Sequence, residues 1–332
     1  MRARSLISAA FFLFPMVAYS QAVITSASIS DNVLTIEGNG FGSDSPMVFW
    51  DDTKNSFTFT SANSGDLVGT GADEKWNIAD SPWGNPMEYA HNNLTKVGKT
   101  DAYYRGVGKK AILGSPNIDG SLDQKMYVSW WYRPSMSPSA EGGSNKFIRI
   151  WDKPDGTGTR ISWTQMHLTC GDGSVVSWKD WSGAPGEWNR HEFYVDTTNN
   201  TVQVWVNGKS LHNLSNCPKI ASGIGHPVFV QLIGFDHGSS SYGSMETHLD
   251  DIYIGNTKKR IELSNEATWS STTVSEPVPI TSWSDTVITA APYMTSKVRF
   301  SKDLYIYIFD DNGNVNENGH KINCLYCPNY ES

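Results

Sequence analysis

Residues 202–208 read Val202-Gln-Val-Trp-Val-Asn-Gly208, and this stretch indicates the class of fold. Its three valines alternate with Gln203 and Trp205, and a period of two places the two sets on opposite faces of a strand. Asn207-Gly208 supplies two positions that adopt positive φ at little cost, which favours a tight hairpin turn. The stretch therefore predicts a β-hairpin in which Trp205 stands on the face opposite the valines.

Short segments with the same strand character recur along the whole chain, and no long helical periodicity interrupts them. Each is rich in β-branched or aromatic residues and is bounded by turn residues. The further segments are residues 33–37, 126–132, 146–151, 161–168, 191–195, 228–235, 249–254 and 304–309. Many short strands with regular turn signals are typical of a sandwich or barrel. The predicted fold class is therefore all-β.

The first 22 residues have the composition of a secretory signal peptide. Arg2 and Arg4 precede an apolar run over residues 6–17, and small residues follow at Ala18 and Ser20. This run is shorter than the roughly 20 apolar residues that span a bilayer. No later stretch is apolar and long enough to do so. We therefore expect a secreted protein, extracellular or periplasmic, whose mature chain begins near residue 23.

Four cysteines are an even number, and disulfides are the default in an oxidising compartment. Cys324 and Cys327 are separated by two residues, so we expect them to pair locally. Cys170 and Cys217 then form the second predicted pair.

The two ends of the chain resemble the two halves of one immunoglobulin-like domain of the IPT/TIG type. The first half is carried by residues 24–42, which contain Leu34-Thr-Ile-Glu-Gly38, and the second by residues 280–288 and 304–314. This resemblance implies a split domain, residues 23–47 and 256–332, into which residues 48–255 are inserted at a loop tip. The competing interpretation is two unrelated fragments that flank one domain.

The inserted residues resemble the concanavalin A-like lectin/glucanase superfamily. The resemblance is carried by Met126-Tyr-Val-Ser-Trp-Trp-Tyr132, Gly186-Glu-Trp-Asn-Arg-His-Glu192, residues 202–208 and His248-Leu-Asp-Asp-Ile-Tyr-Ile254. It implies a jelly roll of two curved antiparallel sheets. That fold is used by lectins, binding modules, hydrolases and lyases, so the fold alone does not select a function.

The period of two in these strands suggests a sugar site on the concave sheet of the jelly roll. Aromatic rings stack on the apolar face of a pyranose, while Arg, Gln and His bind hydroxyl or carboxylate groups. We expect one face to carry the candidates Trp131, Arg133, Arg149, Trp151, Gln165, His167 and Trp205. The alternative is that some of these tryptophans belong to the core.

Gln165-Met-His167 resembles one motif of the jelly-roll alginate lyases. In that family a Gln and an Arg neutralise the uronate carboxylate, and a His takes part in proton transfer during β-elimination. The resemblance implies catalytic roles for Gln165, His167 and Arg149. The arginine-rich strand and the tyrosine-bearing strand of the family are not reproduced. The carboxylate spacing of the glucanases is not found either, which disfavours glycoside hydrolysis.

Similar jelly rolls often hold a structural calcium ion between their first and last strands. Asp52, or its neighbour Asp51, and Asp250 occupy such places, and hard oxygen ligands suit calcium. The alternative is that these carboxylates bind turn amides. No other cofactor is expected.

The net charge of −8 argues against a nucleic-acid partner. The sequence thus predicts a secreted polysaccharide-binding protein. One alternative is a polysaccharide lyase acting on a uronate-containing glycan. The other is a structural or adhesive surface protein, with the immunoglobulin-like domain meeting a cell-surface or protein partner.

Overall fold

In the computed structural model the stretch at residues 202–208 is a hairpin, as its alternation predicts. Strand β16 (Thr201–Val206) buries its three valines and leaves Trp205 on the other face. Asn207 and Gly208 have φ values of 51° and 72°, the left-handed conformation of a tight turn. β17 (Lys209–Leu214) returns beside it.

The structure describes residues 22–31, 33–53, 64–69, 75–77, 85–91, 102–118, 124–141, 145–151, 160–163, 167–176, 178–219, 228–291 and 303–324. Regular structure within them is almost entirely strand, which confirms the predicted all-β class. The helical elements of this part are two short 3₁₀ turns, η1 (Ser240–Tyr242) and η2 (Trp269–Ser271). No helix in these ranges has the length and hydropathy to cross a bilayer.

Sheet I has eight strands, numbered like all others along the chain. Its path runs β17, β16, β15, β10, β19, β7, β6, with β3 paired to β19. The remaining bounds are β3 (Met47–Asp51), β6 (Glu88–His91), β7 (Ala102–Val107), β10 (Lys125–Pro134), β15 (Asn189–Asp196) and β19 (Glu246–Gly255).

Sheet II has seven strands in the order β14, β13, β12, β11, β18, β8, β5. Their bounds are β5 (Asn85–Pro86), β8 (Lys110–Leu113), β11 (Asn145–Trp151), β12 (Arg160–Trp163), β13 (Leu168–Thr169), β14 (Val175–Val176) and β18 (Phe229–His237). A small ribbon of β4 (Trp76–Asn77) and β9 (Ser115–Pro116) accompanies the two sheets.

The prediction of a single strand over residues 161–168 is wrong. Trp163 of β12 pairs with Leu168 of β13 in antiparallel register, so the chain reverses between them. Residues 161–168 contain no Gly or Pro to mark a reversal, so the sequence pattern reads as one strand. The alternation that relates His167 to Trp163 therefore does not hold.

Sheets I and II pack face to face as the first sandwich. Their shared core includes Val128, Trp130, Phe147, Trp163 and Val204. Complete burial of such side chains removes large apolar areas from water, which is the main favourable term in folding. Side chains on the opposite face of each strand are therefore the ones that can contact other parts of the chain or a ligand.

The second sandwich is built from sheets III and IV, and its core joins both ends of the chain. Sheet III has the order β22, β23, β2, β1, β26, and sheet IV the order β21, β20, β24, β25. The bounds are β1 (Val23–Ser30), β2 (Val33–Asn39), β20 (Arg260–Ser264), β21 (Ser275–Pro277), β22 (Ile280–Trp283), β23 (Val287–Ala290), β24 (Tyr305–Phe309), β25 (His320–Lys321) and β26 (Asn323–Cys324).

Strand β2 pairs with β23, so that Leu34 lies opposite Ala290 and Ile36 opposite Ile288. Residues from both ends of the chain thus share one sheet. The domain boundaries at 47/48 and 255/256, and the IPT/TIG character of this sandwich, stay predictions.

The predicted disulfide between Cys170 and Cys217 is confirmed. It joins the chain just after β13 of sheet II to the chain just after β17 of sheet I, so it ties the two sheets at one edge. Cys327, the Cys324 side chain and residues 1–21 of the signal peptide lie outside the described part, and those two expectations stay predictions.

Candidate functional site

The seven candidate ligand-binding residues do not share one face. Trp131, Arg133 and Trp205 belong to strands of sheet I, whereas Arg149 and Trp151 belong to β11 of sheet II and His167 directly precedes β13. Gln165 lies outside the described residues. The expectation of a single face is therefore wrong, because strand alternation separates core from exterior but does not say which sheet a strand joins.

The outer face of sheet II is polar. Arg149 lies opposite Ser162, and Ser162 lies opposite Thr169, so these three side chains form a row across three strands. On the other side of β11 the register shifts at Gln231 and Leu232, which face Arg149 together in a bulge. None of these residues is part of the apolar core of the first sandwich. Of the seven candidates, Arg149 lies in this row.

Two cations on this face share one carboxylate. Lys146 Nζ lies 3.6 Å and Arg149 Nη2 3.8 Å from Asp236 Oδ2. Arg149 and Asp236 are 5% and 6% exposed, so the local dielectric constant is low and the pairing is effective. The face thus places two cationic side chains beside one carboxylate.

His167 and Trp178 form an aromatic pair at the edge of the same face. Their ring centroids are 4.7 Å apart at 43°. His167 is buried, and burial together with Lys146 lowers its pKa below the usual value, so the imidazole is neutral at pH 7. Trp178 is 58% exposed. Its ring is therefore held by a neutral partner and open to solvent. Trp151 is buried at the end of β11, opposite Phe229.

The outer face of sheet I is covered in part by sheet IV, through a buried ionic cluster. We call it the Arg190 network: Tyr127, Arg190, Glu192, Arg260 and Glu262. Arg190 donates to both Glu262 oxygens at 2.8 Å, to Glu192 at 3.1 Å and to the Tyr127 hydroxyl at 3.0 Å. Arg260 Nε donates to Glu262 at 2.6 Å. Burial opposes the charged form of Arg190, but Glu192 and Glu262 outweigh it and raise its pKa well above the ordinary value.

A cleft of about 670 Å³ opens beside this network, between sheet I and the η2–β21 segment. We call it the tryptophan cleft, because Trp131, Trp188 and Trp269 line it. The other lining residues are Arg190, Asn207, Gly208, Lys209, Ser270, Thr272, Thr273, Val274 and Ser275. Trp205 lines a neighbouring cavity of about 260 Å³. Arg133 lies farther along sheet I, where it donates to the Gly186 carbonyl at 2.7 Å and contacts His248.

Comparison with known proteins finds no family model and no curated protein that matches the chain. Among solved structures it is similar to domain 4 of AbnA, a GH43 extracellular arabinanase from Geobacillus stearothermophilus, in complex with arabinotriose. Identity is 17% and the TM-score 0.35, over 63% of this chain and 92% of that one.

Two lyases are similar to a comparable extent. An endo-β-1,4-glucuronan lyase from Trichoderma reesei has 12% identity and a TM-score of 0.39, over 64% of this chain and 96% of that one. A variant of alginate lyase Aly36B in complex with an alginate tetrasaccharide has 14% identity and a TM-score of 0.40, over 64% and 97%. At these TM-scores the similarity transfers no site and no activity to this chain.

The proposed calcium ligands have other partners. Asp250 Oδ1 accepts hydrogen bonds from the Thr53 amide at 3.1 Å, the Thr53 hydroxyl at 3.0 Å and the Asp251 amide at 2.9 Å. Asp52 is buried. Among the described residues no group of three or more His, Cys, Asp or Glu side chains has metal-ligand geometry. Asp250 thus accepts hydrogen bonds from two backbone amides, and bound calcium stays an untested expectation.

Three tryptophans of these surfaces escape the sequence prediction. Trp178 lies in a connection, Trp188 directly precedes β15 and Trp269 begins η2. Strand alternation therefore gives no face for them. The signal available was their position in polar, turn-rich sequence, where a core tryptophan is less expected.

Proposed function

We propose that the protein binds a polysaccharide on the outer face of sheet II. The observation that carries this proposal is the exposed Trp178 ring, held against His167 at the edge of a polar face. A large exposed aromatic ring is costly in water, since its apolar area is then not buried. Stacking on the C–H face of a pyranose removes that area from water and leaves the sugar hydroxyls free.

The polar groups of this face suit the rest of a sugar chain. Lys146 is half-buried on this face, and its ammonium group suits a glycan that carries carboxylates. The neutral imidazole of His167 has one donor and one acceptor nitrogen. It can therefore pair with a sugar hydroxyl, which also donates and accepts hydrogen bonds. The Cys170–Cys217 disulfide is consistent with work outside the cytoplasm, which supports an extracellular glycan.

A polysaccharide lyase is the second candidate, and the neutral state of His167 favours it. A base with a lowered pKa is unprotonated at neutral pH and can accept the C5 proton of a uronate. Arg149 would offset the carboxylate charge, and Gln165 would assist it. Against this assignment, His167 and Arg149 are 7% and 5% exposed, whereas the reaction requires both to meet the substrate. Binding needs only the exposed ring of Trp178.

Affinity electrophoresis tests the proposal directly. The mature protein and its Trp178→Ala variant migrate through gels that contain alginate, polygalacturonate or neutral glucans, and the gels are stained for protein and polymer. We expect retardation by a uronate polymer, weakened about tenfold in Trp178→Ala, equal to about 1.4 kcal/mol. Trp178→Phe is the matched control, because it keeps an aromatic ring and should retain most of the affinity.

Each other outcome contradicts the proposal in its own way. Cleared polymer around the band would replace binding with cleavage, and His167→Ala should then abolish the clearing. Retardation by the uronate polymer that is equal in Trp178→Ala would exclude this face as the binding site. No retardation by any polymer would favour a structural or adhesive role for the protein.

A further inference from the structure

We propose that the tryptophan cleft is a second carbohydrate site, which takes a neutral oligosaccharide and is completed by the second sandwich. This site is independent of the one proposed on sheet II, since it lies on the outer face of sheet I. Its volume of about 670 Å³ falls within the range of small-ligand pockets. The inference gives the second sandwich a direct part in ligand binding, since Trp269 and Thr273 line the cleft.

The cleft has an aromatic interior and a polar rim. Trp131 is 8% exposed and forms the floor, with Trp188 and Trp269 half-buried beside it. Lys209, Ser270 and Thr273 are exposed at the rim. Sugar sites need this combination, because a pyranose has apolar C–H faces and a circumference of hydroxyl groups.

The side walls of the cleft are packed against neighbouring rings. The Trp269 ring lies 5.1 Å from that of Tyr307 and 5.0 Å from that of Phe309, both edge to face. The Trp188 ring contacts Tyr103 at 6.3 Å and His248 at 6.3 Å. Rings fixed by packing lose little conformational entropy on binding, so more of the contact free energy becomes affinity.

The floor of the cleft carries no net charge. Arg190 lines it, but its guanidinium donors are directed to Glu262, Glu192, the Tyr127 hydroxyl, and the Ser275 hydroxyl and carbonyl. Two arginines and two glutamates balance within the Arg190 network. An anionic ligand group would find no uncompensated cation there, whereas neutral hydroxyls avoid the desolvation cost of a charge. The floor therefore favours a neutral sugar.

Both sandwiches contribute walls, and the network fixes their distance. Trp131 and Trp188 come from the first sandwich, while Trp269 and Thr273 come from the second. Arg190 bridges the two through Glu262 and the Ser275 carbonyl at 2.9 Å. The cleft is thus a composite site, because removal of the η2–β21 segment would leave Trp131 and Trp188 on an open sheet.

Isothermal titration with cellohexaose, xylohexaose and laminarihexaose tests the inference on the whole mature chain. Thr273→Arg extends a long side chain from the exposed rim into the cleft without touching the core. We expect saturable binding of at least one hexasaccharide, weakened at least tenfold by Thr273→Arg and by Trp269→Leu. The matched control is Thr286→Arg, since Thr286 is exposed in a turn of sheet III.

Trp178→Ala separates this site from the one on sheet II. We expect it to keep the hexasaccharide affinity of the cleft. Hexasaccharide binding that is lost in Trp178→Ala and unchanged in Thr273→Arg would place all glycan binding on sheet II and overturn the inference. Absence of saturable binding for all three hexasaccharides, or equal affinities in the two arginine variants, would overturn it as well.

Discussion

At the scale of single residues, the first sandwich keeps several histidines neutral by burying them. His191 stacks on Tyr132 at 4.7 Å and contacts Trp163 at 4.8 Å, and burial lowers its pKa well below the usual value. Burial lowers the pKa of His212 to about 4, with smaller contributions from Lys179 and His167. Burial also lowers the pKa of His248 to about 4, with Arg133 adding and Glu246 opposing. An unfolded histidine titrates near 6.5, so these groups bind protons more readily in the unfolded chain.

The free energy of unfolding should therefore fall as the pH drops below about 6.5, with the loss continuing to about pH 4. A histidine with a folded pKa of about 4 lowers stability at pH 5 by about 2 kcal/mol relative to pH 8. Urea unfolding at both pH values measures this. His212→Gln should reduce the pH dependence by that amount, whereas the neighbouring exposed Asn213→Gln should leave it unchanged. Equal pH dependence in the two variants would contradict the assignment.

Sequence alone could not predict these neutral histidines. Alternation places His191 on the same face as Phe193 and Val195, but it does not give the pKa of a buried imidazole. Trp205 was predictable, because it stands in a strand with clear alternation. Trp178 and Trp269 lie outside strands, and their positions depend on tertiary packing that no local period encodes.

At the scale of elements, β18 and β8 approach so closely that one position admits only glycine. Gly234 has a φ of 145°, and a Cβ atom there would collide with the Ala111 carbonyl on β8. Gly234→Ala should therefore force the two strands apart and lower the free energy of unfolding by roughly 3 kcal/mol. Gly238→Ala, just past the same strand, has open space and should change stability by less than about 0.5 kcal/mol. Denaturant midpoints that match for the two variants would contradict this.

The disulfide between sheets I and II closes a loop of 47 residues. Chain-entropy arguments assign about 4 kcal/mol to a loop of this size. The double variant Cys170→Ser, Cys217→Ser should therefore unfold at clearly lower urea concentration than the parent. Reduction of the parent with dithiothreitol should reproduce that shift, and the double variant should not respond to reductant. A midpoint unchanged in both cases would show that the bond adds no stability.

The strands were predictable and their sheets were not. The sequence pattern correctly marked β10, β15, β16 and β19 as strands, of which β16 has one buried face and the other three are buried on both. It could not show that β11 belongs to sheet II rather than to sheet I, because strand pairing depends on contacts between residues far apart in sequence. For this reason the prediction that Trp131 and Arg149 share one face was wrong. The antiparallel pair β12 and β13 was likewise predicted as one strand.

At the scale of the whole molecule, the two sandwiches meet through buried charge rather than through apolar contact alone. Glu262 is completely buried and accepts from both Arg190 and Arg260. Burial opposes the ionised form, but the two guanidinium groups outweigh it and hold the pKa of this carboxyl well below its usual value. A buried carboxylate with two cationic partners is costly to remove, because its partners are then left unpaired in low dielectric.

Glu262→Ala should lower the free energy of unfolding by about 3–5 kcal/mol, since two buried arginines lose a shared partner. Calorimetry of the variant and the parent measures the loss. The exposed Glu187→Ala is the control and should have little effect. A double-mutant cycle of Glu262→Ala with Arg190→Ala should give a coupling energy above about 1.5 kcal/mol. Additive losses would show that the pair does not act as a unit.

The charged residues of the interface form a pattern in the sequence, but its meaning is clear only from the structure. β15 carries Arg190 and Glu192, and β20 carries Arg260 and Glu262, each pair two residues apart and so on one face of its strand. Two such strands can satisfy each other when their faces meet. The sequence contains both pairs but not the information that sheet I and sheet IV face one another.

Two neighbouring strands of sheet III are translated far apart in time. β1 and β2 pair with each other, yet the second partner of β2, strand β23, is translated about 250 residues later. At 5–20 residues per second, the ribosome needs about 12–50 s to deliver it. An isolated hairpin is at best marginally stable in water. The hairpin of β1 and β2 therefore waits with one edge unpaired until β23 has been translated, so sheet III is completed only after the strands of the first sandwich have been synthesised.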